Sequence, residues 1–117
     1  MSQPVSWQVR ASPDVEQVIR QVARGRASAR LVADYRAGLD QLARSGTRAN
    51  GVKMLRSLEL WEVRMGEYRA FFCPVPGTGV IAIGALVAKR TGKLRMKRLR
   101  TIERRVHRWR DELEAET

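Results

Sequence analysis

The sequence predicts an α+β fold in which helices pack on a small antiparallel sheet. Three observations lead to this prediction. Apolar residues recur at helical spacing towards both ends of the chain, they alternate or run continuously in its middle, and 117 residues suit one domain with one core. We therefore expect a single domain over residues 1–117, ordered as strand, helical hairpin, three-stranded antiparallel meander and C-terminal amphipathic helix.

The first half of the chain predicts a strand followed by two helices. Val5–Arg10 alternates apolar and polar side chains, which is typical of a half-buried strand, and we expect it at or near an edge of the sheet. Ser12 and Pro13 suit the cap and the first position of a helix that ends near Gly25. A second helix is predicted over Ala27–Ala43, so that the two helices form a hairpin.

The second half predicts three strands and a helix, after a loop over Ser45–Lys53. The strands are Leu58–Met65, Tyr68–Cys73 and Val80–Ala88. The last strand is almost continuously apolar, so we expect it inside the sheet and covered on both faces. The core-facing stripe of the helix that follows recurs every three or four residues, at Leu99, Ile102, Val106, Trp109 and Leu113.

Positive charge is concentrated between residues 89 and 110. The chain has a formal net charge of +11, and this segment alone holds eleven basic side chains against the single acid Glu103. Such a density repels itself unless a polyanion or an acidic partner neutralises it, and nucleic acid is the natural polyanion because binding releases counterions. The alternative is a merely solvated helix face. We expect no membrane binding, because the apolar stripe of this helix is committed to the core.

The composition also excludes several kinds of site. One Cys and one His cannot complete a tetrahedral zinc site of the usual kind, and we predict neither a metal nor another cofactor. The apolar run over 80–88 is too short to cross a bilayer and residues 1–9 lack a secretory pattern. The single cysteine, Cys73, cannot form an internal disulfide, which fits a reducing compartment, so we expect a cytoplasmic protein. His107 lies among arginines and is expected to face solvent or nucleic acid, which does not support a catalytic triad.

Cations near the central strands suit a phosphodiester ligand. Arg64 and Arg69 interrupt two otherwise apolar strands, and each could instead pair with a neighbouring glutamate at a solvent-facing position. Lys89, Arg90 and Lys93 follow the last strand, and we expect them to converge with the two arginines. Arginine binds phosphate through its planar fork, and cations stabilise the charge that develops when a phosphodiester is cleaved.

Four short motifs follow one another over residues 53–93. They are Lys53-Met54-Leu55, Leu60-Trp61-Glu62-Val63-Arg64, Tyr68-Arg69-Ala70-Phe71-Phe72 and Leu86-Val87-Ala88-Lys89-Arg90-Thr91-Gly92-Lys93. Their order and spacing resemble the RelE/HigB-like toxins of bacterial type II toxin–antitoxin systems, especially the HigB-like, phage-associated branch of the RelE/ParE superfamily. The resemblance implies an endoribonuclease that cuts mRNA on the ribosome without a metal, inhibits translation, and is bound by a cognate antitoxin, a short acidic or helix-turn-helix protein.

The resemblance also implies roles for individual residues. Arg64 matches a strand arginine that contacts the scissile phosphate, and Lys53 matches a lysine in the loop before that strand, implicated in RNA binding or proton transfer. Lys89 and Arg90 match a basic pair that stabilises the transition state or the leaving group. Arg69 matches an arginine that is either structural or RNA-binding. With the charged segment that follows, the predicted RNA-binding residues are Arg69, Lys93, Arg95, Lys97 and Arg98.

The sequence departs from this family in one respect. Such nucleases often carry a Tyr or a His–Tyr pair near the last segment, where this chain has Lys93-Leu94-Arg95-Met96-Lys97. The general base is therefore unassigned, and Glu62, deprotonated Lys53 or the ribosome could supply it. Two other functions stay open: a ParE-like inhibitor of DNA gyrase on the same fold, and a non-enzymatic nucleic-acid-binding or regulatory module that places its terminal helix in a groove.

Overall fold

Five strands form one mixed sheet, and helices cover both of its faces. The computed structural model describes residues 6–25, 28–55, 57–88 and 94–116. The strands are β1 (Gln8–Ala11), β2 (Val52–Leu55), β3 (Leu60–Met65), β4 (Tyr68–Val75) and β5 (Val80–Ala88). The helices are α1 (Pro13–Val22), α2 (Ser28–Ser45) and α3 (Met96–Glu116), with a 3-10 turn at Gly46–Arg48. The predicted α+β class is confirmed.

The order of strands across the sheet is β1-β5-β4-β3-β2. β1 runs parallel to β5, and the other neighbouring strands are antiparallel. Because β1 is the outermost strand in this order, its predicted position at an edge is confirmed. β5 lies inside the sheet, as its apolar run predicts. Ile81 and Ile83 face the core beneath α1 and α2, whereas Ala82 and Ala85 face α3.

The meander has one strand more than the sequence predicts. Part of the predicted loop Ser45–Lys53 and the two residues after it form β2, which pairs antiparallel with β3 from Val52↔Val63 to Leu55↔Leu60. The strand has four residues at the sheet edge, and Lys53 and Met54 are both exposed, so no alternation of apolar and polar side chains marks it. Lys53 therefore lies on a strand and not in a loop.

α1 and α2 pack on one face of the sheet. α1 begins where the sequence predicts, because the Val15 N–H donates to Ser12 Oγ at 3.3 Å and Pro13 occupies the first turn. Leu42 of α2 and Phe72 of β4 are fully buried in the core between these layers.

α3 packs on the opposite face, over β4 and β5. Ile102 and Val106 are buried in one cluster with Phe71, and further along the helix Leu113 is buried with Val75. The helix therefore runs back from the end of β5 towards its beginning, and among the described residues its main contacts are with β4 and β5 and not with β3.

A bulge between β4 and β5 lets α3 approach the sheet closely. Phe71 pairs with Ala85 but Phe72 pairs with Ile83, so Gly84 has no partner on β4. A Cβ atom on Gly84 would lie 2.5 Å from Val106 Cα, which is main chain of the helix. Glycine at this position is therefore required by the contact between helix and sheet.

Candidate nucleic-acid interface

Four charged side chains share the part of the sheet that α3 leaves uncovered. We call them the sheet floor: Lys53 on β2, Glu62 and Arg64 on β3, and Arg69 on β4. Lys53 pairs directly with Glu62, and Arg64 pairs directly with Arg69, so all four lie on the face that also carries Phe71. Arg64 and Arg69 thus lie together as predicted, and Lys53, which is not part of the predicted convergence, lies on the neighbouring strand.

The hairpin turn places the two arginines opposite each other. A two-residue turn, Gly66-Glu67, joins β3 and β4, and Gly66 has a φ of +61°. Glycine with positive φ at the first central position is typical of a type II′ hairpin turn. This turn pairs Met65 with Tyr68 and, one position further, Arg64 with Arg69.

The sheet floor carries excess positive charge. Arg69 Nη1 lies 4.0 Å from Glu62 Oε2, and their side chains are 27% and 16% exposed. Arg64 is exposed and forms no ion pair with any residue of the described ranges. Like charges directly opposite on a sheet repel each other, and here one glutamate compensates only one of them. An anion bound between Arg64 and Arg69 would relieve that repulsion.

β5, the strand before the predicted basic residues, ends beside the sheet floor. Lys89, Arg90 and Lys93 lie outside the described residues. Ala88, the last residue of β5, pairs with Tyr68, and Val87 pairs with Arg69. The chain therefore leaves β5 at the same end of the sheet as the sheet floor.

The start of α3 places its basic residues at the unfavourable end of the helix dipole. Arg95, Lys97 and Arg98 are exposed at or just before the first turn, which contains no acid. The last turn has no basic residue. Because the N-terminal end of a helix is partially positive, acids stabilise it and cations destabilise it. The stability of the helix therefore does not account for these cations.

We expect the double variant Lys97→Glu/Arg98→Glu to be more stable than the natural protein. Each exchange replaces an unfavourable charge in the first turn with a favourable one, worth about 0.3–1 kcal/mol per site. Urea denaturation should therefore give a free energy of unfolding higher by about 1 kcal/mol. The matching variant Lys97→Gln/Arg98→Gln should gain roughly half as much. A lower unfolding midpoint for the glutamate variant would contradict this interpretation of the two cations.

His107 is half-exposed, and its ring makes a contact that the sequence does not predict. Its Nε2 lies 2.7 Å from the main-chain oxygen of Glu59, to which it donates a hydrogen bond. Glu103 accepts a hydrogen bond from the Glu59 N–H, and Arg110 Nη1 lies 3.8 Å from the Glu59 carboxylate. Three residues on one side of α3 thus hold the turn before β3, and His107 is structural.

Cys73 is unsuited to nucleophilic chemistry. It is buried beneath α3, and burial raises the pKa of its thiol to about 11, so the thiolate is scarce at neutral pH. Among the described residues, no group of three His, Cys, Asp or Glu side chains could hold a metal ion. The chemistry available at the sheet floor is therefore that of guanidinium, ammonium and one carboxylate.

A cleft of about 400 Å³ lies elsewhere, between α3 and the start of α1. Arg105, Arg108 and Trp109 line it together with Asp14 and Glu112. The two carboxylates offset the two guanidinium groups, so this cleft does not offer the excess positive charge that a phosphodiester requires.

Comparison with known proteins adds no identification. No model of a protein family matches the chain, and no curated protein sequence matches it significantly. Within the described ranges, α1, α2 and α3 are each too short or too polar to cross a membrane.

Two features of this surface follow from the sequence and are confirmed. The turn Gly66-Glu67 predicts that Arg69 lies across a hairpin from Arg64, and the two residues are paired. The helical period predicts arginines on the face of α3 opposite its apolar stripe, and Arg100, Arg104 and Arg108 are exposed there. Sequence reasoning missed that Lys53 lies on a strand, because β2 has no apolar alternation.

Proposed function

We propose that this chain is the toxin of a type II toxin–antitoxin system of the RelE/HigB-like kind, and that it cuts mRNA on the ribosome. The observation that supports this most directly is the facing pair of Arg64, which is exposed, and Arg69, which is partly buried, with Lys53 on the neighbouring strand. The ordered motifs over residues 53–93 support the same function from the sequence.

The reaction proposed at the sheet floor needs no group outside the RNA as nucleophile. The 2′-hydroxyl oxygen attacks the adjacent phosphorus, and the bond from phosphorus to the 5′-oxygen breaks. The hydroxyl proton goes to a base and the 5′-oxygen receives a proton, so the products are a 2′,3′-cyclic phosphate and a 5′-hydroxyl. Arg64 binds the scissile phosphate and stabilises the negative charge that grows on it, with Arg90 as its proposed partner.

Proton transfer in this proposal uses the other members of the sheet floor. A base must accept the 2′-hydroxyl proton, and Glu62 is the acidic residue of the floor, held by Arg69 and paired across the sheet with Lys53. Lys53 or Lys89 protonates the leaving 5′-oxygen. A ribosomal group in place of Glu62 would give the same products.

The proposed partners follow from charge as well as from the reaction. Arg64 and the exposed residues Arg95, Lys97 and Arg98 form no ion pair with any residue of the described ranges. A short acidic or helix-turn-helix antitoxin would cover such a surface and keep it from RNA. The ribosome and its mRNA place the activity in the cytoplasm. An adjoining reading frame that encodes such a protein would support the proposal.

Induced expression in a bacterial host tests the function. Protein synthesis, followed by incorporation of a labelled amino acid, is expected to stop, and transcripts are expected to acquire new 5′-hydroxyl ends that a kinase labels without prior phosphatase treatment. On purified ribosomes, an mRNA with a single 2′-deoxyribose at the cleavage site should stay intact there.

The same induction distinguishes the other candidate functions. A DNA-damage response with intact transcripts would indicate a gyrase inhibitor on this fold. Continued protein synthesis with intact transcripts and no DNA damage would contradict a toxin altogether and favour a non-enzymatic nucleic-acid-binding module.

A further inference from the structure

The outward face of α3 carries a row of cations that is separate from the sheet floor. We call Lys97, Arg100, Arg104 and Arg108 the outer stripe. All four are exposed, and the 3.6-residue period of the helix turns them away from the buried residues Ile102, Val106 and Leu113. The stripe extends over twelve residues, and the eleven steps between its ends, at 1.5 Å each, span about 16 Å.

Most of the charge of the outer stripe is not compensated within the described residues. Three of the nearby acids have other partners: Glu103 accepts from the Glu59 N–H, Asp111 pairs with Arg110, and Glu116 pairs with Arg10. Glu112 and Asp14 line a cleft together with Arg108, so they offset the charge at that end of the stripe. No member of the stripe forms an ion pair with a described residue, although Arg104 donates to Thr101 on the same helix. Lys97, Arg100 and Arg104 therefore have their charge available for an external anion.

The composition of this face indicates which anion it suits. Single-stranded nucleic acid is typically bound by aromatic side chains on which bases stack, and base edges are read by amide or other hydrogen-bonding side chains. Between Lys97 and Arg108 the exposed residues are arginine, lysine and Thr101. A row of cations at helical spacing, without an exposed aromatic ring on which bases could stack, matches a regular phosphate backbone, as in a double helix.

We propose that the outer stripe binds the phosphate backbone of a double-helical nucleic acid, without regard to base sequence and independently of any cleavage at the sheet floor. The shared chemistry is a regular row of phosphates, which duplex RNA and duplex DNA both offer. The inference goes beyond the proposed nuclease function, because a protein without that activity would still bind duplexes through α3.

The test compares two triple variants by fluorescence anisotropy. Arg100→Gln/Arg104→Gln/Arg108→Gln removes three charges from the stripe, and glutamine retains a helix propensity close to that of arginine. The control, Arg30→Gln/Arg36→Gln/Arg44→Gln, removes three exposed charges from α2 on the opposite face of the sheet. The probes are a duplex RNA, the duplex DNA of the same sequence and a single-stranded oligouridine of equal length, each titrated at several salt concentrations.

The natural protein and the α2 control are expected to bind the duplexes alike and more tightly than oligouridine. The stripe variant should bind them at least tenfold more weakly, with a slope of log K against log salt smaller in magnitude by about 2 to 3, since each lost phosphate contact removes about 0.9 from the slope. A preference for one duplex would identify RNA or DNA as the partner.

Three results would overturn the proposal. They are an unchanged salt slope in the stripe variant, an equal loss in the α2 control, and binding of oligouridine as tight as that of the duplexes. Circular dichroism and urea denaturation establish that both variants are folded. Arg64 belongs to the sheet floor and not to the outer stripe. If the Arg64→Ala protein lost duplex binding, that would also contradict the outer stripe as a separate binding surface.

Discussion

Replacing Arg64 with alanine is expected to lower cleavage of ribosome-bound mRNA about 100- to 1000-fold. This is the loss that follows when a single group stabilising transition-state charge is removed from an active site. Arg64 is exposed, and the floor's glutamate pairs with Arg69 instead, so no fixed partner competes with a phosphate for its guanidinium. The measurement is the single-turnover rate of cleavage on purified ribosomes programmed with a defined mRNA.

Two further variants make this result specific. Arg64→Lys keeps the charge but loses the bidentate fork, so its rate should lie between those of the natural protein and the alanine variant. Arg36→Ala removes an equally exposed arginine from α2, on the other face of the sheet, and should cleave at the natural rate. Cleavage at the natural rate by the Arg64→Ala protein would show that the sheet floor takes no part in the reaction.

The stability of the Arg64→Ala protein separates a functional arginine from a structural one. Because Arg64 faces Arg69 directly, its removal relieves a like-charge repulsion across the two strands. The free energy of unfolding should therefore stay within about 0.5 kcal/mol of the natural value, with any change towards higher stability. A large loss of stability would mean that reduced cleavage reports unfolding.

The largest structural effect is expected at Gly84. A Cβ atom there would lie 2.5 Å from Val106 Cα and 3.0 Å from Val106 N, so Gly84→Ala must push α3 away from the sheet. The obstruction is main chain, and a change of rotamer cannot remove it. Overpacking of this kind costs about 1–3 kcal/mol, which corresponds to a melting temperature lower by roughly 4–12 °C.

Gly25→Ala is the matched control for the loss at Gly84. A Cβ atom on Gly25 would meet only the Val22 oxygen, at 3.4 Å, which is an ordinary contact. Thermal and urea denaturation should find this variant close to the natural stability and the Gly84→Ala variant well below it. Equal midpoints for the two variants would show that α3 does not depend on close contact with the bulge.

The regular elements were predictable because burial of each one follows a local period. Five residues from Leu99 to Leu113 recur every three or four positions, and three of them, Ile102, Val106 and Leu113, are buried against the sheet. The continuous apolar run Val80–Ala88 is a central strand covered on both faces. In each case the pattern of apolar side chains predicts how much of the element is buried.

Features that depend on distant partners were not predictable in this way. β2 has no apolar alternation and exists because Val52–Leu55 completes the hydrogen bonds of β3. His107 reads as an isolated histidine among arginines, but it donates to the carbonyl of Glu59, which is 48 residues away in the sequence. Neither the pairing of β2 with β3 nor the hydrogen bond of His107 can be recognised from a short segment of the sequence.

For the candidate site, the sequence determined the chemistry and the tertiary structure decided the arrangement. The abundance of arginine, the lack of metal-ligand clusters and the basic segment after residue 88 are properties of composition and order. Only the fold sets Lys53 beside Glu62, turns Arg64 towards Arg69 and leaves that surface uncovered by α3. The physical reason is that the net charge of a chain does not depend on its shape. A phosphate, in contrast, is bound only where cations lie at suitable distances from one another, and strand register and helix packing set those distances.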